Sequence, residues 1–240
     1  MAGHDFSAIS QEIDTSRLKA CIVSSTVRLD EMQQAQLRQF CPQKTLFLNA
    51  TTPIPLRNLY LSPDTLGPDR LAAAIGAYDE SYYRRGRHTP VLIIDAGTAI
   101  TFDFVSEEGD YLGGNISPGT DMRLKALHEF TSQLPAVYTQ PNIDVSRFHN
   151  PLQAEAAAQL ALGTDTRTAI WQGVHNGVKK EIEGYIQQWT VKFPYLSVFL
   201  TGGDEFDFDE TVKKRIFADK FLVAKGLNHI LKGIYNEETA

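Results

Sequence analysis

Cysteine is scarce in this chain: Cys21 and Cys41 are the two in 240 residues. Two thiols in so long a chain make no disulfide framework and fit a reducing compartment. Long apolar runs are missing as well, since no window approaches the roughly 18 consecutive apolar residues that suggest a membrane span. The opening MAGHDFSAIS has no basic region followed by an apolar stretch, so the expected address is cytoplasmic, away from any membrane. Basic clusters go no further than Arg84–Arg85 and Lys213 to Arg215, on a formal net charge of −6. That leaves no electrostatic footprint for nucleic acid. His4, His88, His128, His149, His175 and His229 show no metal-ligand spacing and no partner cysteine cluster, which disfavours a zinc enzyme. What remains is ordinary globular composition, 42% hydrophobic and 22% charged, in a chain long enough to bury a substantial core.

Strands alternate with helices along the chain. LKACIVSSTV from Leu18, LDEMQQAQLRQFC and KTLFLN read as one β-α-β unit. After a loop rich in Pro and Asn, GPDRLAAAIGAYDESYYRRG reads as a helix with Pro68 in its first turn, where the missing N–H has no intrahelical partner. VLIID at 91–95 reads as a strand buried on both faces. AGTAITFDFV, the turn SEEGD and YLGGNISPG then form a hairpin before a helix expected from about Asp121 to Leu134. Helices are expected around Glu155 to Leu162, from Asp165 onward, and near Leu227 to Tyr235, with a strand at LSVFLTGGD. In the helix after Asp165, Ile170, Val174, Val178, Ile182 and Ile186 recur every four residues and predict a core-facing stripe. The pattern is α/β with two similar lobes: an N-terminal lobe over 1–90 and a C-terminal lobe over 91–240.

Three glycine turns stand out, each at the end of an apolar or hairpin strand. DAGTAITFD places Asp95 beside Gly97 and Thr98, where bare backbone can approach phosphate and a hydroxyl can donate to it; an ordinary tight turn in which Asp95 accepts backbone N–H bonds is equally compatible. GGNISPG at 113–119 could aim a helix N-terminus at an anion, or simply close a hairpin. TGGD at 201–204 supplies Gly202 and Gly203 after a buried strand. Together they fall where open α/β sheets bind ligands. Asp69 and Arg70, after Gly67, offer a carboxylate to take a proton from an attacking hydroxyl and a guanidinium fork to hold a substrate carboxylate. A first-turn carboxylate beside a surface arginine is the plainer alternative.

Taken in order, YLSPDTLGPDR at 60–70, GAY at 76–78, IIDAGTAITFDFV at 93–105, GGNISPG at 113–119, LGTDTRTAIWQG at 162–173 and TGGD at 201–204 resemble type III pantothenate kinases. The likeness runs from about Ala20 to Ile230. It implies the actin-like ATPase fold of two ribonuclease-H-like lobes, a homodimer, and phosphorylation of pantothenate by ATP with Mg²⁺ and a monovalent cation, K⁺ or NH₄⁺, in coenzyme A biosynthesis. Carried over by motif, Asp69 is the general base. Tyr60, Gly67, Pro68, Arg70 and Thr166 bind substrate, Gly97, Thr98, Gly202 and Gly203 bind ATP, and Asp95 holds the monovalent cation. The family's opening DxGNTxxK segment has no counterpart in MAGHDFSAISQEIDTSRLKA. The expectation is therefore a first lobe lacking its opening strands, with ATP binding impaired. A non-catalytic binding protein on the same scaffold, or an actin-like kinase for another small substrate, remain the alternatives.

Overall fold

A computed structural model describes residues 14, 18–41, 44–142, 144, 146, 148 and 150–237. The expectation about the opening segment lies outside the described residues, save for Asp14 and the stretch from Leu18. The chain forms two compact units: unit 1 is Met1–Val91, Asp103–Gly113 and Phe221–Ala240, and unit 2 is Leu92–Phe102 and Gly114–Lys220. The first segment of unit 1 ends at Val91, and the segments Asp103–Gly113 and Phe221–Ala240 rejoin it.

Unit 1 opens with the expected β-α-β element. Strands β1 (Cys21–Val23) and β2 (Thr45–Phe47) are parallel, with Ile22 opposite Leu46. Between them α1 (Glu31–Arg38) begins at a capping box, in which Asp30 accepts from the Gln33 backbone N–H and the Gln33 side chain accepts from the Asp30 N–H. A short β3 (Arg57–Asn58) pairs in parallel with the start of β6 (Asp110–Pro118); two residues are too few for a sequence pattern to reveal. Helix α2 (Pro68–Arg85) starts on Gly67 and Pro68 as predicted. It ends on Gly86 at φ 69°, with Arg84 and Arg85 in the last turn, the favourable place for cations against the helix dipole.

The last helix, α7 (Leu222–Glu237), is longer than the sequence pattern suggests and packs along α2. Small residues make the crossing intimate. A Cβ on Gly226 would overlap the Ala72 carbonyl oxygen, and one on Gly76 would overlap that of Leu222. Ala72, Ala73 and Ala74 are at most 1% exposed, so the two backbones touch with almost no side chain between them. Lys225–Glu80 at 3.1 Å and His229–Asp79 at 3.2 Å flank the crossing at its rim.

The larger sheet has the strand order β3-β6-β5-β4-β7-β8, with β4 (Val91–Ala96), β5 (Ala99–Val105), β7 (Ser197–Gly202) and β8 (Ile216–Ala218); Asp103 to Val105 of β5 and Asp110 to Gly113 of β6 are counted with unit 1, and β7 and β8 with unit 2. Val91 to Ile94 are fully buried, the two-sided burial expected of VLIID. The hairpin turn closes with Gly109 N–H donating to the Ser106 carbonyl at 3.1 Å. Helix α3 (Thr120–Glu129) stops five residues before the expected Leu134, where Phe130 leaves the helical region. Helix α4 (Pro151–Gln159) starts earlier than expected because Asn150 caps the Leu152 N–H at 2.9 Å. Helix α5 (Thr166–Lys192) begins at a capping box on Asp165 and buries its predicted stripe, from Ile170 at 7% to Val178 and Ile182 at 0%. A one-turn helix α6 (Glu210–Lys213) and β8 had no legible signal. The thiols of Cys21 and Cys41 are free, and no helix among the described residues is long and apolar enough to cross a membrane.

Candidate active site

In unit 1 the predicted substrate residues cluster about the first turn of α2. Gly67 is the N-cap with ordinary φ and ψ of −57° and 128°. Its importance is spatial: a Cβ there would stand 2.5 Å from Asp69 Oδ1. The Asp69 carboxylate thus folds back over bare backbone and accepts the Arg70 N–H at 2.9 Å. That places a half-buried carboxylate on the positive end of the helix dipole. Gly67 and Pro68 also line a cavity of about 550 Å³ with Ser25, Asn49 and Asp64; neither Asp69 nor Arg70 contributes to that lining.

Arg70 was expected to present its fork to a substrate. The structure instead fills the fork from within the unit. Arg70 is 8% exposed and Asp103 fully buried; Nε stands 3.1 Å from Asp103 Oδ1 and 3.2 Å from Oδ2, and Nη2 stands 2.5 Å from Oδ1. The buried Tyr111 hydroxyl donates to Asp103 Oδ1 at 2.7 Å. Burial works against the charge on Arg70, yet the hydrogen bonds and charge of Asp103 outweigh it and push the guanidinium pKa up. Burial, with the charge of Asp103 beside it, likewise pushes the Tyr111 phenol up, so it stays a donor. Tyr60 completes the group: its ring lies edge-on to Tyr111 at 6.2 Å, with the Arg70 guanidinium carbon 5.7 Å from its centroid. Tyr60 packs close over Gly113, where a Cβ would come within 3.1 Å of its ring.

In unit 2 the three glycine turns do converge. The Gly119 N–H donates to the Thr98 carbonyl at 3.0 Å, and a Cβ on Gly119 would overlap the Gly97 carbonyl. On the other side the N–H groups of Gly203 and Asp204 both reach the Ala96 carbonyl at 3.0 Å. Gly202 adopts φ 102°, a conformation L side chains rarely enter, and its α-carbon lies against Ala96. The end of β4 is therefore gripped on two sides, Gly97 and Thr98 by the start of α3 and Ala96 by the turn after β7. Asp95 is half-buried on β4, and the side chain of Thr98 is exposed. Thr166 is exposed on the first turn of α5.

Helix starts separate into two kinds. Helices α1, α4, α5 and α6 are capped by Asp30, Asn150, Asp165 and Asp209 side chains. Helices α2 and α3, which follow the GPDR and GGNISPG motifs, begin on Gly67 and Gly119 with no side-chain cap. Uncapped first-turn N–H groups are the donors that anions use at helix starts. At α3, the 5% exposed Thr120 has its Oγ1 buried with no hydrogen-bond partner among the described residues. A phosphate-bearing ligand fits this donor set. No group of three or more His, Cys, Asp or Glu among the described residues could hold a metal by itself.

Sequence reasoning missed Asp103 and Tyr111 as partners of Arg70, and gave His175 no place. Asp103 was detectable in principle: a carboxylate between Phe102 and Phe104 in a buried strand demands a partner. His175 was visible only as a histidine without metal spacing. In the fold it stacks on Trp171 at 4.2 Å, and burial pulls its pKa down against the opposing charges of Asp204 and Asp121.

The class of protein is clear from the fold: mixed α/β, with glycine turns gathered at strand ends. A solved structure described as a Baf family transcriptional activator from Campylobacter jejuni shares that fold, with a TM-score of 0.50 at 21% identity over 95% of this chain and 89% of that one. A family model for type III pantothenate kinase matches residues 3–188. Curated type III pantothenate kinases are similar over most of the chain. The Bacteroides fragilis protein is 46% identical over 214 residues, 89% of this chain and 79% of the relative. The Phocaeicola vulgatus protein is 43% identical over 221 residues, 92% and 81%, and the Porphyromonas gingivalis protein 42% over 225 residues, 94% and 84%. The chain belongs to the type III pantothenate kinase family.

Proposed function

We propose that this chain transfers the terminal phosphoryl group of ATP to the hydroxyl of pantothenate, on the actin-like scaffold of two ribonuclease-H-like lobes and as a cytoplasmic homodimer. The observation that carries the site assignment is the placement of Asp69. Its carboxylate sits at an uncapped helix start, over a glycine whose missing side chain makes room for it. From there Asp69 takes the proton of the acceptor hydroxyl as the oxygen attacks phosphorus in line, and the leaving ADP carries away the electron pair of the broken bond.

Tyr60, Gly67, Pro68 and Arg70 orient the acceptor beside that carboxylate, with Thr166 from the facing protomer. Gly97 and Gly203 hold the nucleotide against backbone, where no Cβ keeps phosphate at a distance, Gly202 fixes the turn that presents Gly203, and the Thr98 hydroxyl donates to the nucleotide. Mg²⁺ would screen the triphosphate charge, and a monovalent cation, K⁺ or NH₄⁺, would sit at Asp95.

A coupled assay of ADP release with pantothenate, ATP, Mg²⁺ and K⁺ or NH₄⁺ tests the reading. Release should depend on pantothenate and fall by about 10²- to 10⁴-fold in Asp69→Asn, the span typical of a lost general base. ADP release indifferent to pantothenate, or unchanged in Asp69→Asn, sinks it.

A further inference from the structure

Asp103 lies on β5, remote in sequence from the GPDR motif, and it is fully buried. A buried carboxylate is costly unless it is paired and hydrogen-bonded, and here three donor atoms converge on it: Arg70 Nε, Arg70 Nη2 and the Tyr111 hydroxyl. These bonds engage one edge of the guanidinium, Nε and Nη2, and leave Nη1 as the nitrogen not committed to Asp103. Arg70 thus has a fixed rotamer and a neutralised charge, which suits a single aimed donor better than a bidentate clamp.

The consequence reaches Asp69 through one peptide unit. The N–H that holds Asp69 Oδ1 at 2.9 Å is that of Arg70 itself. Anchoring the Arg70 side chain therefore anchors the peptide that orients the carboxylate. We propose that Asp103, backed by Tyr111, is a positioning residue for phosphoryl transfer: it locks Arg70 and, through the Arg70 backbone, sets the Asp69 carboxylate against the acceptor hydroxyl. This deepens the proposed function and rests on Asp69 as the group that takes the acceptor's proton.

The test pairs two readouts on the full chain. The first is the Arg70 Nε–H signal in a ¹⁵N spectrum, assigned by its loss in Arg70→Lys. It should be sharp and slowly exchanging in the wild type and should broaden into solvent exchange in Asp103→Asn. The second is kinetic. Asp103→Asn should lower kcat/KM for pantothenate by about a hundredfold, the scale of a reacting group displaced by an ångström, with KM for ATP unmoved. Tyr111→Phe keeps the ring and its packing, so it guards against simple misfolding. It should remain folded, melting in one cooperative step at a modestly lower temperature because one donor to a buried carboxylate is gone, and show a smaller loss confined to kcat.

An Arg70 signal that persists unchanged in Asp103→Asn overturns the inference, whatever the activity. So does full kcat/KM in Asp103→Asn when the wild type turns over pantothenate. A general loss that also raises KM for ATP reveals a merely structural role and overturns it as well. A wild type that never phosphorylates pantothenate, yet loses the Arg70 signal with Asp103, removes the pantothenate reading and leaves the hold of Asp103 on Arg70 standing.

Discussion

Arg70 Nη2 stands 2.5 Å from Asp103 Oδ1, with side-chain exposures of 8% and 1%. Removing one partner of such a pair strands the other charge in a poorly solvated site. Asp103→Ala should therefore lose about 3–5 kcal/mol in denaturant unfolding. The double variant Arg70→Met, Asp103→Leu, which leaves no stranded charge, should recover much of that stability while remaining inactive. Equal stability in the two variants would show that the charge itself is not what makes the loss.

Gly67→Ala offers a cleaner separation of activity from stability. The Gly67 backbone lies at φ −57° and ψ 128°, open to any residue. The new methyl would clash with the end of one flexible side chain, Asp69 Oδ1, and would meet Arg70 Cγ and Cδ at ordinary van der Waals distance. The melting temperature should stay within about 2 °C of wild type, because an unstrained surface substitution changes stability by only about 0.5 kcal/mol. The pantothenate-dependent rate should fall because the carboxylate has been pushed aside. A rate equal to wild type would show that the position of Asp69 is not critical.

At the α2–α7 crossing, Gly226→Ala sets a methyl against the Ala72 carbonyl, and backbone cannot rotate away as a side chain can. Overpacking of this kind costs about 1–3 kcal/mol or more, measurable by chemical denaturation. Gly233, on the same helix, has open space where its Cβ would stand. Gly233→Ala should stabilise by up to about 1 kcal/mol from helix propensity. The opposite signs of two identical substitutions on one helix make the comparison self-controlled.

His175 predicts a pH dependence. Burial lowers its pKa from the ordinary value of 6.5, with Asp204 and Asp121 as the opposing charges. The unfolded chain then binds a proton that the folded chain resists, so stability rises with pH across the interval between the depressed value and 6.5. The contribution is fully present above 6.5 and is lost as pH falls through that interval. His175→Gln should flatten this acid limb of the unfolding free energy. An identical limb in the variant would assign it to other groups.

The sequence was most legible where one physical demand fixes one residue type. Pro68 and Gly67 mark the start of α2, VLIID marks a strand covered on both faces, and the four-residue recurrence from Ile170 marks the buried side of α5. The convergence of the three glycine turns was legible as well, since each follows a strand end. Less visible was anything depending on a partner distant in the chain. Arg70 looked free because nothing within its own helix engages it, whereas Asp103 reaches it from β5. Likewise β3 and β8 are two and three residues long and exist through pairing, β3 with a strand far along the chain and β8 with β7, so no local pattern announces them.

The crossing of Gly76 with Gly226 also orders events in time. Unit 1 is stitched from three separate stretches of the chain, and its helix bearing Asp69 leans on a helix synthesised after all of unit 2. Synthesis proceeds from the N-terminus, so the alanine face of α2 stays bare while all of unit 2 is being made. A nascent chain stalled before Gly226 would therefore carry a complete unit 2 beside an uncovered helix α2 and present that face to chaperones.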